Sequence, residues 1–194
     1  MTQQTEIEFK NIVTYDEYKQ LCAHFNVTPQ QAVTLANHYF DTAALHIKDM
    51  RSGLRIRQTN DAFEATLKRL VDVHTSIETN VDITEADAQR IFNGDTFPDA
   101  IHRQLVDANI PVSEINHYGS LTTKRIEVDY KGGLVVLDHA LYLGHEDYEI
   151  EYETNDATEG ARIFAELLAQ FNIPTRQTKK KIARFADILA QQKG

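Results

Sequence analysis

Apolar and charged residues alternate one by one along much of this chain. Residues 5–10 read Thr-Glu-Ile-Glu-Phe-Lys, which puts Ile7 and Phe9 on one side of an extended segment and Glu6, Glu8 and Lys10 on the other. A strand sends successive side chains to opposite faces, so the pattern predicts a strand with one apolar and one charged face. The same alternation returns later. Leu54 and Ile56 oppose Arg55 and Arg57, and Phe63, Ala65 and Leu67 oppose Glu64, Thr66 and Lys68. Ile77 and Val81 oppose His74, Ser76, Glu78 and Asn80, and Ile126, Val128 and Tyr130 oppose Thr123, Arg125, Glu127 and Asp129. Asp138 falls opposite Leu137, and Tyr148, Ile150 and Tyr152 oppose Glu149, Glu151 and Glu153.

These stretches predict eight strands, over residues 5–10, 31–40, 54–57, 62–70, 73–82 and 117–130, then one ending at Asp138 and one over 146–153. Thr14 and Glu17 form a capping box for a helix running to about Phe25, with Tyr18, Leu21, Cys22 and Phe25 on one face. Residues 43–50 have room for one or two helical turns. Asn60-Asp61 and Lys131-Gly132-Gly133 are turn signals. A helical insert is expected over about 83–110: a helix capped by Thr84 or Asp82 stops near Asn93-Gly94, and a second starts at Pro98. C-terminal helices are expected over about 156–192, as 156–171 and, beyond Pro174, 178–192. No repeat or flexible linker interrupts the chain, so residues 1–194 are expected to be a single domain. Mostly consecutive strands with short turns predict an α+β fold. It is an eight-stranded antiparallel β-barrel with surrounding helices, since closure removes exposed sheet edges.

The charged faces could simply meet water, as one face of an antiparallel sheet often does. Their composition points the other way. Arg55 and Arg57 are both cations, whereas Glu149, Glu151 and Glu153 are all anions. A solvated face needs no such segregation by sign, but a site holding both a polyanion and divalent cations does. The charges are therefore expected to line the barrel interior, with the apolar faces packed outward against helices.

Composition narrows the picture. The net charge of -9 excludes a general nucleic-acid or anionic-membrane surface. Apolar content of 42% and charged content of 25% are those of an ordinary soluble protein. Cys22 is the only cysteine, so there is neither an internal disulfide nor Cys-based metal spacing; on an apolar helix face it reads as a buried, inert thiol. No signal peptide and no bilayer-length apolar stretch is evident, and a cytoplasmic location is expected. His38, His74, His117 and His139 lack zinc-protease spacing, and His139 reads as a loop residue beside Asp138. Asp41-Thr42 reads as a turn and helix cap, and Tyr148 and Tyr152 as packing residues.

Glu6-Ile7-Glu8-Phe9-Lys10 is similar to the ExExK signature of the CYTH superfamily, the triphosphate tunnel metalloenzymes. Tyr39-Phe40-Asp41-Thr42, Leu54-Arg55-Ile56-Arg57, Thr66-Leu67-Lys68, Arg125, Asp138 and Glu149-Ile150-Glu151 follow in that family's order. Lys179-Lys180-Lys181-Ile182-Ala183-Arg184 resembles its C-terminal lysine motif. The likeness covers nearly the whole chain. It is nearest to small bacterial single-domain members described as triphosphatases or adenylate cyclases. It implies a triphosphate tunnel in which Lys10, Arg55, Arg57, Lys68, Arg125 and Lys181 grip phosphates. Glu6, Glu8, Asp138, Glu149 and Glu151 would hold Mg²⁺ or Mn²⁺, and Glu78 is a further tunnel acid. The residues implied in catalysis are Glu6, Glu8, Lys68, Glu149 and Glu151. Three alternating acids stand where the motif has two, so Glu151 and Glu153 are an alternative metal pair. Lys179 and Lys180 are alternatives to Lys181. The implied activity is metal-dependent hydrolysis of inorganic tripolyphosphate or a small organic triphosphate such as thiamine triphosphate. The alternatives are an adenylate cyclase on the same scaffold, or a non-catalytic nucleotide or polyphosphate binder. The expected partner is a small-molecule triphosphate, not a nucleic acid or a membrane, and a homodimer stays open.

Overall fold

The structure is a computed structural model, and it describes residues 1–60 and 62–193. In chain order its elements are β1 (Thr2–Val13), α1 (Tyr15–His24), β2 (Val33–Asp41), α2 (His46–Asp49), β3 (Ser52–Thr59), β4 (Ala62–Leu70) and β5 (Thr75–Ile83). Then come α3 (Glu85–Phe92), α4 (Asp99–Asp107), β6 (Asn116–Tyr130), β7 (Gly133–Tyr142), β8 (His145–Thr154), α5 (Ala157–Gln170) and α6 (Lys181–Lys193). The strands form a closed barrel in the order β1-β5-β4-β3-β2-β6-β7-β8. This is the α+β barrel that the alternation predicts. Asp61, half of the expected Asn60-Asp61 turn, lies outside the described residues. Among the described residues no helix is long and apolar enough to cross a membrane.

The chain divides into two compact units, one of Met1–Thr5 with Leu35–Ser120 and one of Glu6–Thr34 with the chain from Leu121 onward. In the first, Leu54, Ile56, Ala65 and Leu67 from β3 and β4 pack with Ile47 of α2, Ile91 of α3, and Ile101 and Leu105 of α4. In the second, Phe9, Ile126, Leu137, Ile150 and Tyr152 pack with Leu21 and Cys22 of α1 and Ile163 and Leu167 of α5. Each apolar strand face thus has its own helical cover. Each buried aliphatic side chain there contributes roughly 1.5–3 kcal/mol. Cys22 is buried, and that burial pushes its thiol pKa up, as expected of an inert core cysteine.

The local signals act as anticipated. Thr14 accepts from the Glu17 amide and Glu17 accepts from the Thr14 amide, closing the capping box of α1. Asp41 accepts from the amides of Thr42, Ile47 and Lys48, so it caps α2. Lys131 and Gly132 both have positive φ and turn β6 into β7. A Cβ on Gly133 would stand 2.5 Å from the Glu153 carbonyl oxygen and 2.6 Å from the Tyr152 ring, so no larger residue fits there.

Several boundaries differ, three of them for a reason visible in the hydrogen bonding. β1 continues past Lys10 to Val13, because Asn11 is buried but satisfied: it donates to the Ile12 and Pro174 carbonyls and accepts from the Arg176 amide. β7 does not end at Asp138 but runs to Tyr142, pairing Leu141 with Glu146. His139 is consequently a strand residue rather than the expected loop residue, stacked on Tyr148 at 4.5 Å and paired with Glu146. α6 starts at Lys181 rather than 178, because the approach to it is held extended. Thr178 accepts from the Ile12 amide, and Arg176 donates to the Ile12 carbonyl and forks onto Glu17.

Candidate functional site

In the second unit the strand register sets one charged face. Glu8 lies opposite Glu153, Lys10 opposite Glu151, Asp138 opposite Glu149, and Arg125 opposite Asp138. Because alternation is strict, Phe9, Leu137, Ile150 and Tyr152 point to the helix-covered face while these acids and bases share the other. That face is not solvated. Asp138 and Glu149 are 0% exposed and Glu151 3%. Buried carboxylates at this density require cations, and the chain supplies them. Arg125 forks onto Asp138 at 2.9 and 2.7 Å and donates to Glu151 at 3.0 Å. Lys10 pairs with Glu8. Lys181 Nζ stands 2.9 Å from Asp138 Oδ2, 2.7 Å from Glu149 Oε1 and 2.6 Å from Glu151 Oε1.

Of the three consecutive lysines, Lys181 meets Asp138, Glu149 and Glu151. Lys179 pairs with Asp187 at the surface. One turn beyond Lys181, Arg184 forks onto Asp147 at 2.9 and 3.0 Å and donates to Glu149 at 2.6 Å. Tyr142 donates to Asp147 at 2.6 Å. Arg184 and Asp147 are additions to the expected set. Their signals were in the sequence: Asp147 extends the alternation of Glu149, Glu151 and Glu153 by one step, and Arg184 follows Lys181 at i+3, on the same helix face.

Burial and charge pull these groups apart in proton affinity. Burial raises the Asp138 pKa, but Lys181 and Arg125 outweigh it and hold the carboxyl below its usual range. Glu149 and Glu151 sit side by side as like charges. Burial, against the pull of Lys181, pushes Glu149 up to about 7, and Glu151 is held low by Lys181 and Arg125 despite its burial. Lys181 is driven up by Asp138, Glu149 and Glu151, against burial. Glu153 is pushed up to about 7 by burial, then by Glu6, with Arg125 opposing. A carboxyl whose folded pKa lies above its unfolded value destabilises the fold as pH rises between the two values. Glu153→Gln should therefore melt above wild type at pH 8 without metal, with the difference gone near pH 4.5. Thermal unfolding at the two pH values checks this, and an equal effect at both would place Glu153 in water.

The first unit carries a mainly basic face. Arg55 lies opposite Thr66, Arg57 opposite Glu64, and Lys68 opposite Glu78. Glu78 is buried and stands 3.2 Å from Lys68 Nζ and 4.0 Å from Arg55. Burial raises its pKa, but Arg55 and Lys68 hold it below the usual range. Arg57 Nε donates to Asn37 at 3.1 Å, a partner the sequence reading had not singled out. The structure thus groups Arg55, Arg57, Lys68 and Glu78 on this face. It groups Lys10, Arg125, Asp138, Glu149, Glu151 and Lys181 on the other, with Glu6, Glu8 and Glu153 along the same strand faces.

The donor chemistry of Asp138, Glu149 and Glu151 fits a hard divalent cation, which prefers carboxylate oxygen. Among the described residues, however, no three His, Cys, Asp or Glu side chains stand in an arrangement that itself holds a metal ion. The three acids are drawn around an ammonium instead.

The CYTH domain family matches residues 4–186. YjbK of Bacillus subtilis strain 168, named as a candidate triphosphatase, is 41% identical over 187 residues, covering 95% of this chain and 96% of that protein. A crystal structure described as a candidate adenylate cyclase of Bacillus halodurans superposes with a TM-score of 0.90 at 35% identity, over 95% of this chain and 99% of that one. HpAC1 from Hippeastrum, described with a dominant triphosphatase activity, has a TM-score of 0.77 at 20% identity, over 94% and 95% of the two chains, a likeness of fold. With the family matched over nearly its whole length and a relative at 41% identity, this chain belongs to the CYTH domain family.

Proposed function

We propose that this protein is a divalent-metal-dependent triphosphatase that cuts the terminal phosphoanhydride of a small triphosphate, with inorganic tripolyphosphate the simplest substrate. The observation that carries this reading is the buried trio Asp138, Glu149 and Glu151 converging on one cation. A second face of the same chain presents Arg55, Arg57 and Lys68. The candidate triphosphatase name of the 41%-identical relative agrees with it. Asp138, Glu149 and Glu151, with Glu6 and Glu8, would hold Mg²⁺ or Mn²⁺. When bound, such a cation neutralises phosphate charge and acidifies the attacking water.

The chain's own part is positioning and charge. Arg55 and Arg57 offer planar forks that match phosphate oxygens, and Lys68 adds a point charge. Glu78 fixes Arg55 and Lys68 before substrate arrives, and Asn37 aims Arg57. Arg125 fixes the carboxylates of Asp138 and Glu151, so their orientation does not have to be established during the reaction. Water attacks the terminal phosphorus, the phosphoanhydride bond breaks, and orthophosphate and the shortened phosphate leave. The expected location is cytoplasmic.

The description of the 35%-identical Bacillus halodurans structure favours a second reading, in which ATP is cyclised and pyrophosphate leaves. One experiment separates the two. Tripolyphosphate, thiamine triphosphate and ATP are each incubated with Mg²⁺, Mn²⁺ or EDTA, and the products are identified. Orthophosphate release that EDTA abolishes is the expected result. Cyclic AMP with pyrophosphate supports the cyclase, and tight binding without turnover of any of the three overturns both.

A further inference from the structure

Lys181 does more than neutralise a neighbour. Its ammonium has three carboxylate oxygens around it, at 2.9, 2.7 and 2.6 Å from Asp138, Glu149 and Glu151, and its side chain is 13% exposed. Those are the oxygens that the proposed function assigns to the metal. The cations nearest these oxygens are Lys181 and Arg125, with Arg184 on Glu149 and Lys10 close by. A divalent ion placed among the same oxygens would be repelled by them in a desolvated space, so its entry requires a resident cation to leave.

The candidates to leave are not equivalent. Arg125 is anchored on β6 and forks onto Asp138, and Lys10 is on β1. Lys181 begins a terminal helix whose approach is pinned up to Thr178 by Asn11, Arg176 and Thr178 itself. Beyond Thr178, α6 rests on the β7–β8 hairpin through the Arg184 fork on Asp147 and its bond to Glu149, buried Phe185 near Tyr142, and Gln192 donating to the Leu143 carbonyl. These are side-chain contacts of one helix, so its release would leave the strand pairing of β7 with β8 in place.

We propose that Lys181 is a tethered ammonium that occupies the metal position in the metal-free protein, and that Arg184 on Asp147 is the positioning contact that keeps it there. This rests on the metal reading of Asp138, Glu149 and Glu151. Metal affinity is then set by competition: the divalent ion must displace Lys181, and α6 is released from the acids as the metal binds. Asp138, Glu149 and Glu151, now spread around an ammonium, would hold the divalent ion in its place. This also accounts for the absence, among the described residues, of an acid cluster already shaped for a metal.

The test uses the full chain, stripped of metal, with Mn²⁺ as the probe and no triphosphate present. Free Mn²⁺ is read by electron paramagnetic resonance during titration. Lys181→Met keeps an unbranched side chain one atom shorter and removes its charge, and should bind Mn²⁺ about tenfold or more tightly than wild type. Arg184→Ala leaves Lys181 in place but loosens its helix, and should tighten binding by a smaller factor; it also serves if Lys181→Met fails to fold. Hydrogen exchange supplies a readout independent of affinity: Mn²⁺ should speed exchange of the α6 amides in wild type and leave those of β8 slow. Wild-type binding that Glu151→Gln abolishes, with no gain in either Lys181→Met or Arg184→Ala, overturns the competition while leaving the metal reading intact. Mn²⁺ binding in none of the proteins, or binding unaffected by Glu151→Gln, overturns the metal reading and this inference with it.

Discussion

Glu149→Gln is expected to lower metal-dependent tripolyphosphate hydrolysis at least 100-fold, while the metal-free chain at pH 8 stays as stable as wild type or becomes more so. Loss of activity follows from position. Glu149 is fully buried, on the strand face shared with Asp138 and Glu151, and an amide oxygen is a far weaker ligand for a hard cation than a carboxylate. Even partners one step removed from a metal typically cost about 10–100-fold when replaced. Retention of the fold follows from electrostatics. Burial, with Glu151 alongside, pushes the Glu149 carboxyl up to about 7 even though Lys181 and Arg184 donate to it. Its folded pKa lies above the unfolded one, so ionisation costs stability progressively as pH rises through that window, and the cost is complete above pH 7. Glutamine removes that cost at nearly constant volume, and its one carbonyl oxygen still accepts from one of the two cations. Ligand linkage gives a second reading: Mg²⁺ plus tripolyphosphate at about 100 times its Kd should stabilise wild type by about 2.7 kcal/mol and the variant much less. Undiminished phosphate release and an equal thermal shift would remove Glu149 from the metal shell.

Arg57→Ala should weaken triphosphate binding by about 2–5 kcal/mol, the cost of losing a desolvated charge-assisted contact. Of the two β3 arginines it is the cleaner probe. Arg55 and Lys68 also hold the buried Glu78 carboxylate, so truncating either leaves that charge less compensated and destabilises the fold directly. Arg57 donates to Asn37, a neutral partner, and its hold on Glu78 is weaker than that of Arg55 or Lys68, so its truncation disturbs the fold less. Arg57→Lys restores the charge but not the planar fork, and should recover only part of the affinity. Calorimetric titration with tripolyphosphate in the presence of metal measures all three proteins. An Arg57→Ala affinity equal to wild type would assign this face to water rather than to phosphate.

Much of this was written locally in the chain. Alternation with period two is a property of a strand and its immediate neighbours, so the division of Leu54 and Ile56 from Arg55 and Arg57, and of Ile150 from Glu149 and Glu151, could be read before any partner strand was known. The Thr14 capping box and the Asp41 cap are likewise local, because every group they satisfy lies within seven residues. What alternation cannot decide is which face is dry. Burial of Asp138, Glu149 and Glu151 depends on cations from β6 and α6, and Lys181 is 30 residues from Glu151 in the chain. The extension of β7 to Tyr142, the place of His139 and the pairing of Asp147 with Arg184 have the same origin. Each is fixed by a strand register or a helix docking that brings distant residues within hydrogen-bonding reach. The choice of Lys181 over Lys179 is decided last and least locally, by how the segment after Pro174 is pinned to β1 before α6 begins.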